Sequence, residues 1–214
     1  LKNAKTFPWS ADLAMRTELL SAEFIRELNL EEYVRDRYED SVRRVPRLYG
    51  EPEADARCRE ITYMNIQWFM QTLLDRMDRA SMYSGLEARV PYADHRIVEY
   101  VFNVPWEMKY KEGVVKSLLR EACADLLPKE ILMRKKSPYP KTYHPNYEKL
   151  LKQAFSEVVS NPNSPVLPLI DKEKVTAFLS TPSEYGRPWF GQLMAGPQLI
   201  AYLIQVNYWL KKFS

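Results

Sequence analysis

The 214-residue chain is expected to fold as a mainly α protein. Apolar residues recur at helical spacing, proline-marked loops separate those stretches, and strand-like alternation is scarce. A hydrophobic content of 46% supplies enough apolar material to bury a core.

Taken in order, Ser10 caps a predicted helix over residues 11–28, with Leu13, Leu19, Leu20, Phe24 and Leu28 as its apolar stripe. Asn29 is placed to cap the next helix, which runs to about Val45 and stops before Pro46. The longest pattern covers residues 55–84, carries Ile61, Met64, Trp68, Leu73 and Met77, and ends where Gly85 supplies a left-handed residue. Residues 87–92 read as extended, because Pro91 disfavours helix at Val90, and Asp94 then caps a helix over 95–103. Further helices are expected over 115–126, 147–160, 171–179 and 194–212, joined by Pro-rich connectors at 137–140 and 161–168.

Several function classes are disfavoured. No run of about 20 apolar residues exists, so no membrane span is expected. The two cysteines, Cys58 and Cys123, lie far apart inside helical patterns and fit buried thiols, with the cytoplasm as the expected compartment. A net charge of +3, from 31 basic and 28 acidic residues, is too mild to demand nucleic acid. His95 and His144 match no metal-ligand spacing, and no metal site is expected. All six glycines are isolated, so the chain holds no Gly-rich phosphate loop.

Three charged clusters remain. Asp75, Arg76, Asp78 and Arg79 crowd the end of the longest helix, where Asp75 and Arg79 are four apart and suited to pair. Extended alternation then projects Glu87 and Arg89 to one side. Such a pair suits an amino acid substrate, the guanidinium gripping a carboxylate and the acid receiving an ammonium group, or else a structural network with Arg76, Asp78 or Arg79. The third cluster is Arg134, Lys135 and Lys136, with Lys116 and Arg120 one turn apart on the preceding helix. Cations on a proline-stiffened loop suit the charge of a departing polyphosphate, and equally suit a plain basic surface.

The run Leu-Leu-Asp-Arg-Met-Asp-Arg-Ala-Ser-Met at 73–82, followed by Gly-Leu-Glu-Ala-Arg-Val-Pro-Tyr-Ala-Asp-His-Arg at 85–96, resembles the signature of glutamine-hydrolysing asparagine synthetases. The similarity continues through Pro105, Lys109, residues 116–120, Leu127, Pro128 and Ile131 to the Arg-Lys-Lys-Ser-Pro-Tyr stretch at 134–139. It implies a two-step reaction: ATP and Mg²⁺ activate the aspartate side-chain carboxylate as an acyl-adenylate, releasing pyrophosphate, and ammonia drawn from glutamine then displaces AMP to give asparagine. Carried over by position, Lys136 corresponds to the lysine that contacts pyrophosphate. Glu87 and Arg89 fall near the acyl acceptor pocket, Asp75, Arg76, Asp78 and Arg79 support that pocket, and Lys116, Arg120 and Arg134 are phosphate-proximal candidates.

The family's N-terminal catalytic cysteine, its Ser-Gly-Gly-x-Asp-Ser loop and its Ser-Gly-Glu-Gly-x-Asp-Glu segment do not occur here. Residues 1–214 therefore correspond to the helical half of an adenine-nucleotide α-hydrolase-like (ATP pyrophosphatase) synthetase domain, with the parallel sheet and nucleotide loop largely missing and Leu1 read as a trimmed or internal start. The implied partners are the glutaminase and nucleotide-binding segments of the same chain, aspartate and glutamine. ATP and Mg²⁺ belong to the full-length enzyme, with none expected on this segment, which should be inactive alone. Apolar surface normally covered by the sheet would favour self-association. The C-terminal stretch at 187–192 and the aromatic final helix resemble bacterial members. Alternatives are a related adenylating synthetase, of the β-lactam-forming or peptide-cyclising kind, and a non-catalytic helical scaffold.

Overall fold

The computed structural model describes residues 6–7, 13–137, 144–181 and 195–213. The expected Ser10 cap, the prolines at 138 and 140 and the 187–192 stretch lie outside them. The described residues are helical, and their only β pairing is an isolated antiparallel bridge between Leu20 and Ile170. No helix among them is long and apolar enough to cross a membrane. The chain forms two compact units, one from residues 3–38 and 139–214 and the other from 39–138, the boundary between Tyr38 and Glu39 falling inside one helix.

In the first unit, the single helix expected over 11–28 is broken into α1 (Ala14–Thr17) and α2 (Ala22–Leu28). The break has a tertiary cause: the Ser21 amide donates to Leu169 O at 3.0 Å, the Asp171 amide donates to Leu19 O at 2.9 Å, and the Ser21 hydroxyl donates to Pro168 O at 3.0 Å. Ser21 then serves as the N-cap of α2, accepting from the Phe24 amide. Asn29 sits in the left-handed region at φ 40° between α2 and α3 (Leu30–Arg43), and its side-chain amide donates to Glu32.

The core of this unit is Leu19, Phe155, Val166, Ile170, Val175, Leu199, Ile200 and Leu203. It lies where α10 (Pro145–Ser160) packs on α12 (Gly196–Phe213). α10 starts with Pro145, whose fixed φ suits a first turn and whose missing N–H costs nothing there. α11 (Lys172–Ser180) is capped by Asp171, whose carboxylate accepts from the Glu173 and Lys174 amides at 3.1 Å. Those amides and the nearby Lys174 ammonium hold the Asp171 carboxyl below its usual range. Buried Asn207 on α12 accepts from the Val166 amide, giving the core's polar edge a partner.

In the second unit, the pattern expected over 55–84 is one continuous rod of three parts: α4 (Glu53–Met64), a π-helical stretch (Asn65–Met70) and α5 (Gln71–Tyr83). Two side chains add donors to carbonyls before and within the wider turns, Asn65 Nδ2 to Ile61 O at 2.8 Å and Thr72 Oγ1 to Trp68 O at 2.7 Å. Trp68 donates its indole N–H to Ser41 Oγ at 3.0 Å. The rod ends as expected at Gly85, φ 72°: its amide donates to Met82 O and the Leu86 amide to Ser81 O, the paired bonds that satisfy terminal helix carbonyls.

The remaining helices are short: α6 (His95–Asn103), α7 (Trp106–Lys109), α8 (Ser117–Ala122) and α9 (Lys129–Leu132). α7 and α9 fall where the sequence suggested no helix, each opened by a proline, Pro105 or Pro128, at its N-cap. The helix expected over 115–126 starts only at Ser117, because Lys116 is left-handed at φ 60°. Buried Ser117 ties this corner together, its hydroxyl donating to Met108 O at 2.8 Å and accepting from the Lys111 amide at 2.9 Å.

Candidate functional site

All eleven residues of the three charged clusters fall in the second unit. On α5, Arg79 pairs with Asp75 at 3.3 Å across one helical turn, both side chains well exposed. Arg76 and Asp78 are exposed on the same helix. An exposed pair of this kind is worth little to stability, about 0.3–0.5 kcal/mol.

The two-bond stop at Gly85 turns the chain out of α5 into an extended stretch. There Glu87 and Arg89 project to the same side, as alternation requires, and they bond to each other: Arg89 Nε donates to Glu87 Oε1 at 3.0 Å and Nη2 to Oε2 at 3.3 Å. This planar fork-to-fork arrangement is the one a guanidinium makes with any carboxylate. Both groups are mostly exposed, so exchanging one carboxylate for another at Arg89 meets little resistance.

Beyond it, Pro91–Ala93 form a 3₁₀ turn and Asp94 caps α6, accepting from the Arg96 amide at 2.9 Å and from the Arg96 side chain at 3.0 and 2.7 Å. The Arg96 guanidinium, with its backbone amide, lowers the Asp94 carboxyl from 3.8 to about 2.

The basic run lies past α9. Met133 and Arg134 still donate to carbonyls of that helix, and Arg134, Lys135 and Lys136 are then exposed in an irregular stretch. Arg120 on α8 reaches it, Nη2 donating to Arg134 O at 3.3 Å while Nε donates to Val115 O at 2.8 Å. Lys116 stands exposed at the start of α8. The structure thus brings together Asp75 with Arg79, Glu87 with Arg89, and Arg120 with the backbone of Arg134.

Exposed lysine and arginine side chains offer only donors and positive charge, which fits phosphate oxygens. Among the described residues, no group of three His, Cys, Asp or Glu side chains is placed to hold a metal ion. Cys58 and Cys123 are not joined in a disulfide.

A polar interior in the same unit escaped sequence reasoning. Arg59 and Glu51 form a nearly buried bidentate pair at 2.9 Å, with the Arg59 guanidinium 5.1 Å from the centre of the Phe102 ring. Glu60 is held by Arg47 and Arg57. Half-buried Lys109 donates to Val101 O at 3.0 Å and Phe102 O at 3.3 Å, closing the end of α6, with the Trp106 ring 5.5 Å away. Burial, and then the neighbouring Arg59 charge, push the Lys109 amine below its ordinary value. Residues 51–60 are densely charged throughout, and nothing in their spacing marks Glu51, Arg59 and Glu60 as the buried ones.

Comparison with known proteins agrees with the resemblance. A family model described as Asparagine synthase matches residues 1–211. The chain is 47% identical over 208 residues, 97% of its own length and 34% of the relative's, to "Asparagine synthetase [glutamine-hydrolyzing] 3" of Bacillus subtilis (strain 168). Over 67 residues, 30% of the chain, it is 49% identical to "Asparagine synthetase [glutamine-hydrolyzing]" of Rattus norvegicus and 48% to the Homo sapiens protein of the same description, 12% of each relative being covered. The chain thus spans about a third of the length of its B. subtilis relative.

Proposed function

From the premise that the chain belongs to the asparagine synthase family, we propose that it is the helical portion of a cytoplasmic ATP-dependent ligase that makes asparagine from aspartate through a β-aspartyl-adenylate, using ammonia from glutamine. The observation that carries this proposal is the end-to-end similarity to a glutamine-hydrolysing synthetase. Exposed cations at 134–136 and an exposed Glu87–Arg89 pair within the same compact unit supply suitable chemistry.

ATP enters as a substrate whose cleavage activates the carboxylate. In the proposed reaction Lys136 lies against the pyrophosphate oxygens, and its ammonium offsets the negative charge that grows as they leave. A compact point charge on a flexible stem follows that movement better than a planar fork. Arg89 releases Glu87 and takes a carboxylate of the amino acid substrate in the same two-bond geometry, and the freed Glu87 receives the ammonium group. Asp75, Arg76, Asp78 and Arg79 line the end of α5 directly before this stretch and keep its charge balanced. Mg²⁺ is assigned to no described residue, since none forms a suitable cluster. The large exposed side chains Leu86, Tyr92, Tyr100, Val115, Leu126 and Ile131 are read as surface that the rest of the synthetase covers.

The test uses the full reading frame containing this segment, incubated with ATP, Mg²⁺, glutamine and aspartate, with AMP and asparagine followed by mass spectrometry and the 214-residue segment as control. Both products from the long chain alone are expected. AMP without asparagine reassigns the carboxylate within the same chemistry, AMP from the short segment overturns its proposed inactivity, and no turnover by the long chain overturns the ligase reading. In the long chain Lys136→Ala should slow adenylation by about 2–4 kcal/mol of activation energy, as removal of a preorganised charge stabiliser does.

A further inference from the structure

Arg120 uses its donors differently from the other cations of the basic cluster. Its guanidinium folds back over the start of α8, where Nε donates to Val115 O at 2.8 Å, and from the same plane Nη2 donates to Arg134 O at 3.3 Å. The two acceptors are 19 positions apart in the chain. They are main-chain carbonyls, so neither bond depends on which side chains occupy positions 115 and 134. The guanidinium is planar and permanently charged, and it presents donors in fixed directions, so one side chain sets the spacing between two backbone segments.

Arg134 O is also the point at which the chain leaves α9. The amides of Met133 and Arg134 donate to Lys129 O and Ile131 O, and the residues after them are irregular. Lys136 follows two residues later, a reach of at most about 7 Å of extended chain from the anchored carbonyl. Without that anchor, the stretch carrying Lys136 would swing about the end of a four-residue helix.

We propose that Arg120 is a positioning residue that fixes the basic stretch 134–136 against α8 and so holds Lys136 in place for the leaving polyphosphate. The catalytic half of this statement rests on the function proposed above; the mechanical half does not.

The experiment uses the full-length chain and two readouts. In the first, aspartate-dependent AMP formation is measured for Arg120→Ala, Arg120→Lys, Lys136→Ala and the Arg120→Ala/Lys136→Ala double variant. Arg120→Ala is expected to lower kcat by about 10- to 100-fold, the scale on which small misplacements act. Arg120→Lys, which reaches one carbonyl but not both, should recover part of the loss. The double variant should lose no more than Lys136→Ala alone, because Arg120 acts only through that loop. Additive losses would overturn the proposal.

In the second, trypsin cleavage after Lys135 and Lys136 is timed relative to cleavage at other sites. Arg120→Ala should accelerate it severalfold, and an unchanged rate would overturn the brace whatever the protein's reaction. Should the wild-type chain form no AMP from aspartate while cleavage still accelerates in the variant, the brace stands and the ligase reading falls.

Discussion

In the unit built from residues 3–38 and 139–214, Phe155, Val166, Val175 and Ile200 are fully enclosed, whereas in the unit spanning 39–138 Val45 and Met64 are the only buried apolar side chains among the described residues. The second unit compensates with charge. Glu51–Arg59 and Glu60 occupy its interior, Glu60 being reached by Arg57 and by the half-exposed Arg47, while Leu86, Tyr100 and Leu126 face outward. The first unit is therefore held by burial, which is non-directional and tolerant of small shifts, and the second by bonds that need their partners in place. All the residues proposed for chemistry lie in the second. A unit with little apolar core tolerates exposed, densely charged helices, and its arginines stay committed to fixed geometries.

The comparison breaks most readily at its strongest point. Phe155→Ala should cost about 3–5 kcal/mol, the range for emptying a large buried side chain. Hydrogen exchange in α10 and α12 should then rise to match α5 and α6. Replacing outward-facing Leu126, 77% exposed, by alanine should change stability by no more than about 0.5 kcal/mol. Glu60→Gln removes the charge shared by Arg47 and Arg57 and should cost about 1.5–3 kcal/mol in urea unfolding, because the bonds lost are charge-assisted. A loss comparable to that of Phe155→Ala would show that the second unit depends on its charges as fully as the first depends on its core.

Gly85→Ala places a side chain where nothing lies within 4 Å, so its cost of about 1–2 kcal/mol reflects left-handed backbone strain alone. The loosening should appear as faster exchange of the Gly85 and Leu86 amides. The effect at Asp94 is confined to acid. Its carboxyl is depressed to about 2, so its contribution to α6 is complete above the unfolded value of 3.8 and disappears as pH falls through about 2. An NMR titration should find that midpoint, and Asp94→Asn, which keeps an oxygen for the Arg96 amide, should abolish this part of the acid sensitivity.

What the sequence made legible was local. The end of α5 at Gly85, the cap at Asp94, and the approximate spans of α10, α11 and α12 follow from residues within a turn or two of each site. What it hid was decided at a distance. The apolar stripe over 13–28 is continuous, yet Leu19 and Ser21 bond to residues 169–171 and split the helix. Lys116 is left-handed although lysine has no preference for that region, because Ser117 is held between Lys111 and Met108. The same holds at the candidate site. Alternation put Glu87 and Arg89 on one side, and nothing more was needed to make them pair. The role of Arg120 was invisible, since a backbone carbonyl leaves no mark in the sequence of the residue that carries it.

The six π-helical residues between α4 and α5 give the rod room for one residue more than plain α-helix would take. A π-helical turn closes with one residue more than an α-helical turn, so a chain one residue shorter here, wound as plain α-helix, would leave everything beyond it facing nearly the same way. Asp75 and Arg79, and the exit toward Glu87 and Arg89, would then keep their direction. Relatives one residue shorter in this stretch should carry the charged cluster on the same side of the rod, and deleting one residue here should be tolerated better than deleting one within α4 or α5, where the register would shift by about 100°.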